Sequence, residues 1–160
     1  MKVIIALAIS MTFMAQTASA ASSVSGSAAL ALAALVSQHS PLLSKAEKKA
    51  MGRLFDGHLH FPWPATKTIS VAADAVICRS SNVDITLHHC ELRFGTKKKE
   101  LEARQAHELY ATIAEAGVPS DGAAGSIFEG LSHLACTIDP NAIKEKAGGG
   151  ADCKFDPGAP

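Results

Sequence analysis

All four cysteines of this chain, Cys78, Cys90, Cys136 and Cys153, follow an N-terminal segment with the anatomy of a secretory signal peptide. Lys2 supplies the positive charge, Val3 to Met14 is an almost wholly apolar run, and Ala18-Ser19-Ala20 ends it with small residues at alternate positions. That order predicts cleavage after Ala20. Export carries a chain to where disulfides persist, and an even number of cysteines there implies two cross-links. The cysteines are therefore read as staples of the fold rather than as metal ligands. None lies in a C-x-x-C motif, which argues against a thioredoxin-like redox role.

The same segment sets the expected location, periplasmic or secreted. Its apolar run is shorter than the roughly 20 residues that span a bilayer, so the chain is not expected to cross a membrane after signal cleavage. No cysteine sits near the predicted cut to carry a lipid. A later apolar stretch, Ala28 to Val36, is mostly alanine and reads as a helix that docks on a core. Lys and Arg total 15 against 15 Asp and Glu. This balance gives no basic footprint for nucleic acid or an acidic membrane surface. The one basic cluster, Lys97-Lys98-Lys99, is followed by Glu100 and Glu102 and reads as the solvated first turn of a helix.

Hydrophobic periodicity orders the elements. Residues 21–27 are small and read as a loose tail, and Ala28 to Ser37 is helical. Ser44 opens a second helix through a capping box with Glu47 that runs to about Asp56, where Gly57 ends it. Phe61-Pro62-Trp63-Pro64 is a stiff extended connector. From Thr68 the period becomes 2, giving one strand to Cys78. A second strand is expected over 83–94, with a turn at 79–82 and a β-bulge at His88-His89, where the apolar phase slips. Thr96 is expected to cap a long helix over Lys97 to Ala116, with Glu100 and Arg104 as an i,i+4 pair. Leu134 to Ile138 reads as a third strand, Asp139-Pro140 as the start of a short helix, and Asp152 to Phe155 as a final short strand. Ile127 to Leu131 is ambiguous and is read as a helical turn.

These elements predict an α+β fold: a small, mostly antiparallel sheet, made of a β-hairpin plus one or two further strands, packed by one long helix. The expected organisation is a signal peptide over 1–20, an N-terminal helical segment and Pro-rich connector over 21–64, a disulfide-stabilised domain over 65–156, and a tail over 157–160.

The strand order brings Cys153 back beside Cys136, and elimination then pairs Cys78 with Cys90. A tight hairpin turning at 79–82 conflicts with that second pair. It would leave Cys90 about 20 Å from Cys78 at about 3.3 Å per residue, whereas bridged cysteines need Cα atoms within about 7 Å. Either 79–89 is a long loop or the pairing differs, for example Cys90 with Cys136. The neighbour pairing, Cys78 with Cys90 and Cys136 with Cys153, is the expectation.

Histidine supplies the candidate metal ligands. Asp56-Gly57-His58-Leu59-His60 places alternate side chains on one side of an extended segment. The spacing resembles the first-strand metal motif of amidohydrolases over five residues. That family builds its site at the mouth of a β/α barrel of about 250 residues, more than this chain supplies. What remains is a zinc or copper site at His58 and His60; otherwise no cofactor is expected. His88 and His89 are adjacent in a strand and face opposite ways, so they do not chelate together. His107-Glu108 lacks the second histidine of H-E-x-x-H, with Ala111 in its place, and His107 is expected to border the packed helix face. No G-x-S-x-G is present, and Ser126 has no sequence-linked histidine and acid. Gly122 to Gly125 has the spacing of an RNA-clamping loop without the basic residues, and Asp121 lacks the oxygen ligands of a calcium loop.

The leading expectation is an exported, disulfide-stabilised protein that binds another protein, as an inhibitor or envelope component, and is not an enzyme. The expected binding surface uses Phe61 and Trp63 of the connector or the Gly-rich loop at Asp121, since loops on a rigid scaffold carry function. The alternative is a zinc- or copper-binding protein, and the third a small hydrolase with a spatially assembled site.

Overall fold

The structure is a computed structural model that describes residues 23–55, 68–81, 84–116, 127–145 and 149–157. Its centre is a long strand, β2 (Ile69–Arg79), flanked by β3 (His89–Phe94) and β5 (Ile127–Ile138). Beyond β3 lies β4 (Lys97–Glu102), and beyond β5 lie β6 (Ala151–Pro157) and then β1 (Ser23–Ser25). The six strands form one sheet in the order β1-β6-β5-β2-β3-β4, and every neighbouring pair is antiparallel. The fold is thus α+β, as the periodicity predicts, with the two disulfides expected from the cysteine count, but the sheet is larger than a hairpin with one or two added strands.

One face of the sheet is covered by helices and the other is polar. Ile69, Val71, Ala73, Val76 and Cys78 of β2 are buried with Leu134, Cys136 and Ile138 of β5 and Cys153 and Phe155 of β6. Helix α1 (Ser27–His39) lies against β2, β5 and β6, and α2 (Lys45–Phe55) packs on α1. Helix α3 (Ala103–Glu115) lies against β2, β3 and β4 through Ala106, Leu109 and Ile113, which fall on one side at helical spacing. α1 is buried at Ala29, Leu30, Leu32, Ala33, Ala34 and Val36, around most of its circumference, and its small alanines let the sheet and the other helices approach closely.

The capping box expected at Ser44 is present. The Ser44 N–H donates to Glu47 Oε2 at 2.8 Å, and the Glu47 N–H donates to Ser44 Oγ at 3.3 Å. Ser44→Ala is expected to lower stability by about 1 kcal/mol in urea unfolding; an unchanged midpoint would show that the box contributes nothing. The short helix α4 (Pro140–Glu145) also forms where Asp139-Pro140 predicted it, with Asp139 Oδ1 accepting from the Asn141 N–H at 2.9 Å.

Four expectations are corrected. Residues 23–25 are no loose tail: they form the edge strand β1, with Ser23 opposite Lys154 and Ser25 opposite Asp152. The long helix begins at Ala103 rather than Lys97. Gly95, with φ +60, and Thr96 make a two-residue turn that folds Lys97–Glu102 back along β3, so tertiary pairing overrides the helix preference of Lys and Glu. As an edge strand β4 is well served by its lysines, which discourage pairing with another chain. Glu100 consequently pairs with Lys98 at 3.1 Å, and Arg104 pairs instead with Glu108 at 2.9 Å. Ile127 to Leu131 belongs to β5 and is not a helical turn. Finally, the phase slip at His88-His89 is not a bulge, because Ile85–Leu87 is a short 3-10 turn and the strand starts at His89. The sheet's register shifts lie elsewhere, between Val76 and Cys78 and between Ser132 and Ala135.

Both neighbour disulfides form between directly opposed residues. Cys78 stands opposite Cys90 in β2–β3 and Cys136 opposite Cys153 in β5–β6, with Cα–Cα separations of 4.1 and 4.0 Å. The conflict over Cys78 is resolved in favour of the long loop: residues 80–81 and 84–88 lie outside the β2–β3 pairing, and the two cysteines stand on the same rung. Cys136 is opposite Val71, so along β2 the two bridges lie about 23 Å apart at about 3.3 Å per residue. Each staples one hairpin and lies under one helix, with Cys90 Sγ 3.4 Å from the Ala106 carbonyl oxygen and Cys153 Sγ 3.5 Å from that of Ala29. Buried cross-strand disulfides suit an oxidising compartment. No helix among the described residues is long and apolar enough to cross a membrane.

Candidate functional site

The described residues of the 80–88 loop, 80–81 and 84–88, form a connected surface feature that starts beside the Cys78–Cys90 bridge. Ser80 turns inward and is buried. The Ser81 hydroxyl accepts from the Asp84 N–H at 3.3 Å. Asp84 then caps the 3-10 turn, its Oδ1 accepting from the Thr86 N–H at 2.8 Å. Bonds from the hydroxyl and N–H of Thr86 hold the Asp84 carboxyl below the usual carboxylate range, with a smaller contribution from His88. The Leu87 and His88 N–H groups donate to the Asp84 and Ile85 carbonyls, each at 3.1 Å. Residues 84–88 are thereby held by local polar groups while presenting two large apolar side chains to solvent. Ile85 is 47 % exposed and Leu87 64 %.

His88 joins the loop to the core. It is buried, 6 % exposed, and its Nε2–H donates to the Ser81 carbonyl at 2.9 Å, closing the loop across its base. Its own carbonyl accepts from the Ala103 N–H at 2.9 Å, which seats the start of α3 beside the loop. Four and seven residues into that helix, His107 and Tyr110 lie on the face that meets His88. The ring centroids of His88 and His107 are 4.8 Å apart at an interplanar angle of 73°, and those of His88 and Tyr110 are 6.3 Å apart at 82°. His107 itself is exposed, so it lies over the buried ring rather than within the core.

The sequence pattern puts His88 at a bulge and His107 at the border of a helix face, with nothing to bring them together. No local signal links residues 19 positions apart on different elements. The usable sign was the shared inward phase of His88, Cys90 and Leu92. His89, one residue on, is only half-buried and stands opposite Glu102. His58, His60, Phe61, Trp63, Asp121 and Ser126 lie outside the described residues.

A second surface feature was also not anticipated. His133 has φ +52 at the irregularity in β5 and lines a recess of about 440 Å³ with Ser23, Lys154, Phe155 and Asp156. At the other end of α1, His39 is held below the usual imidazole range by burial, and then by the charges of Lys99 and Lys48.

No protein-family model matches the chain, and no curated protein or solved structure matches it.

Proposed function

We propose that this protein is an exported binding module that engages a protein partner through the 80–88 loop. One observation carries the reading: Ile85 and Leu87 are exposed on a loop whose base is closed by the Cys78–Cys90 bridge and by the His88–Ser81 hydrogen bond. An apolar pair held in one arrangement before contact loses little conformational freedom on binding, so more of its burial appears as affinity. Loops on a rigid scaffold are where recognition concentrates. The signal-like N-terminus and the two disulfides support a secreted or periplasmic location, where the partner would also reside.

The test is affinity capture from the secreted and periplasmic fractions of the source cell, comparing the native protein with an Ile85→Asp/Leu87→Asp variant. Both side chains project into solvent, so the variant is expected to keep its circular dichroism spectrum and unfolding midpoint. A stoichiometric partner is expected on the native protein, with its affinity lowered at least tenfold, or about 1.4 kcal/mol, by the double substitution. Equal capture by both proteins, or no species retained above background, would overturn the proposal.

A further inference from the structure

His88 is the buried histidine among the described residues, and its two ring nitrogens have unlike surroundings. A carbonyl oxygen can only accept, so the 2.9 Å contact from Nε2 to Ser81 fixes the proton on Nε2. The lone pair of the neutral ring is then on Nδ1. That atom is buried and has no hydrogen-bond partner. Buried polar atoms are almost always paired, and an orphan points to an absent water or ion. An imidazole with one N–H given to a backbone carbonyl and a free lone pair on the other nitrogen is also the usual state of a metal-ligating histidine.

A second imidazole, that of His107, is in edge contact with the His88 ring. A metal–nitrogen bond of about 2.0–2.1 Å puts each ring centroid about 3.1 Å from the ion, so two rings on one metal are about 4.4 Å apart at a right angle and about 5.1 Å apart at the tetrahedral angle. The observed separation of His88 and His107 is 4.8 Å. We propose that His88, through Nδ1, and His107 form a two-histidine site for a zinc- or copper-type cation that fastens the 80–88 loop to α3. The present edge contact is the ion-free arrangement: His107 is exposed, and a rotation of its ring at nearly the same separation opens Nδ1 to the ion and to the solvent ligands that complete its sphere. The cysteines beneath are oxidised and supply no thiolate. Imidazole without thiolate suits zinc and copper among the metals an exported protein meets.

The test is calorimetric titration of the disulfide-intact protein with Zn(II) and with Cu(II). It is repeated on His107→Ala, which removes an exposed side chain, and on His58→Ala/His60→Ala. Nitrogen-detected NMR of the histidine rings reports the ligating atom independently of any loss of fold. One ion per chain is expected, with Kd on the order of 10 μM. His107→Ala is expected to weaken binding at least tenfold, and the His58/His60 variant to leave it unchanged. Zn(II) is expected to move the His88 Nδ1 resonance while Nε2 keeps its proton. Binding that survives His107→Ala, that vanishes only in the His58/His60 variant, or that leaves Nδ1 unmoved would overturn the site. So would the absence of saturation.

Discussion

Gly130→Ala is expected to destabilise the fold by about 3–5 kcal/mol, the largest effect of a single substitution in the sheet. Gly130 lies in β5 at φ +99 and is buried. A Cβ built there would overlap the Val76 carbonyl oxygen and stand 3.0 Å from Ile77 Cα. Those are backbone atoms of the neighbouring central strand, so no side chain can swing away. The site also adjoins the register shift between Val76 and Cys78, where β2 and β5 depart from regular pairing. Relief would therefore require the two central strands to separate. Gly95 provides the comparison. It too has positive φ, +60, but a Cβ there meets nothing within 4 Å. Gly95→Ala is expected to cost only about 1–2 kcal/mol, the price of the left-handed backbone alone. Urea unfolding of the two variants measures the difference. If Gly130→Ala unfolds within about 1 kcal/mol of the native protein, β5 does not approach β2 in this way.

Removing either disulfide is the second large effect. In the chain-entropy account, the bridges across sequence separations of 12 and 17 residues each contribute about 3 kcal/mol by restricting the unfolded chain. Cys78→Ala/Cys90→Ala and Cys136→Ala/Cys153→Ala are therefore expected to lose similar amounts in equilibrium unfolding. They are expected to differ in where the loss appears. The first bridge closes the 80–88 loop, so its removal should raise amide exchange in that loop and weaken partner capture. The second lies about 23 Å away along β2 and should leave the loop protected. β2 and β5 carry no bridge between them, so the central pairing holds the two stapled hairpins together by hydrogen bonds and packing. Removing both disulfides should consequently loosen each hairpin and leave the β2–β5 pairing as the part of the sheet that opens last. A reduced protein with the same midpoint as the oxidised one would refute this division of labour.

The parts of the fold that were legible are those set by near neighbours in sequence. The capping box at Ser44, the alternation in Ile69–Arg79, the start of α4 at Asp139-Pro140 and the final strand around Cys153 each depend on residues within a few positions. The misreadings share a cause of the opposite kind. Lys97–Glu102 has good helix formers and becomes a strand because Gly95 turns it against β3. Ser23–Ser25 has little local preference and becomes a strand because β6 offers it an edge. The alternation at Val83, Ile85 and Leu87 suggested a strand. Yet Ile85–Leu87 is a 3-10 turn and the chain loops out instead, since only an excursion lets Cys78 and Cys90 meet.

The candidate site was less legible than the fold. The sequence sets His88 near a half-cystine and His107 in a helical stretch, but their 4.8 Å approach is a property of β3 and α3 together. The exposure of Ile85 and Leu87 likewise follows from the loop's departure from the sheet rather than from their hydrophobicity.

By itself, then, the sequence determined the class of fold and the caps at Ser44 and Asp139, because periodicity and short-range hydrogen bonds are written in residues a few positions apart, and it favoured the neighbour pairing of the cysteines without fixing it. Only the tertiary structure decided the six-strand order, the length of the 80–88 loop and the meeting of His88 with His107. Those depend on which segments share a sheet and which helix covers them, and such contacts between distant residues arise from burial of a common core.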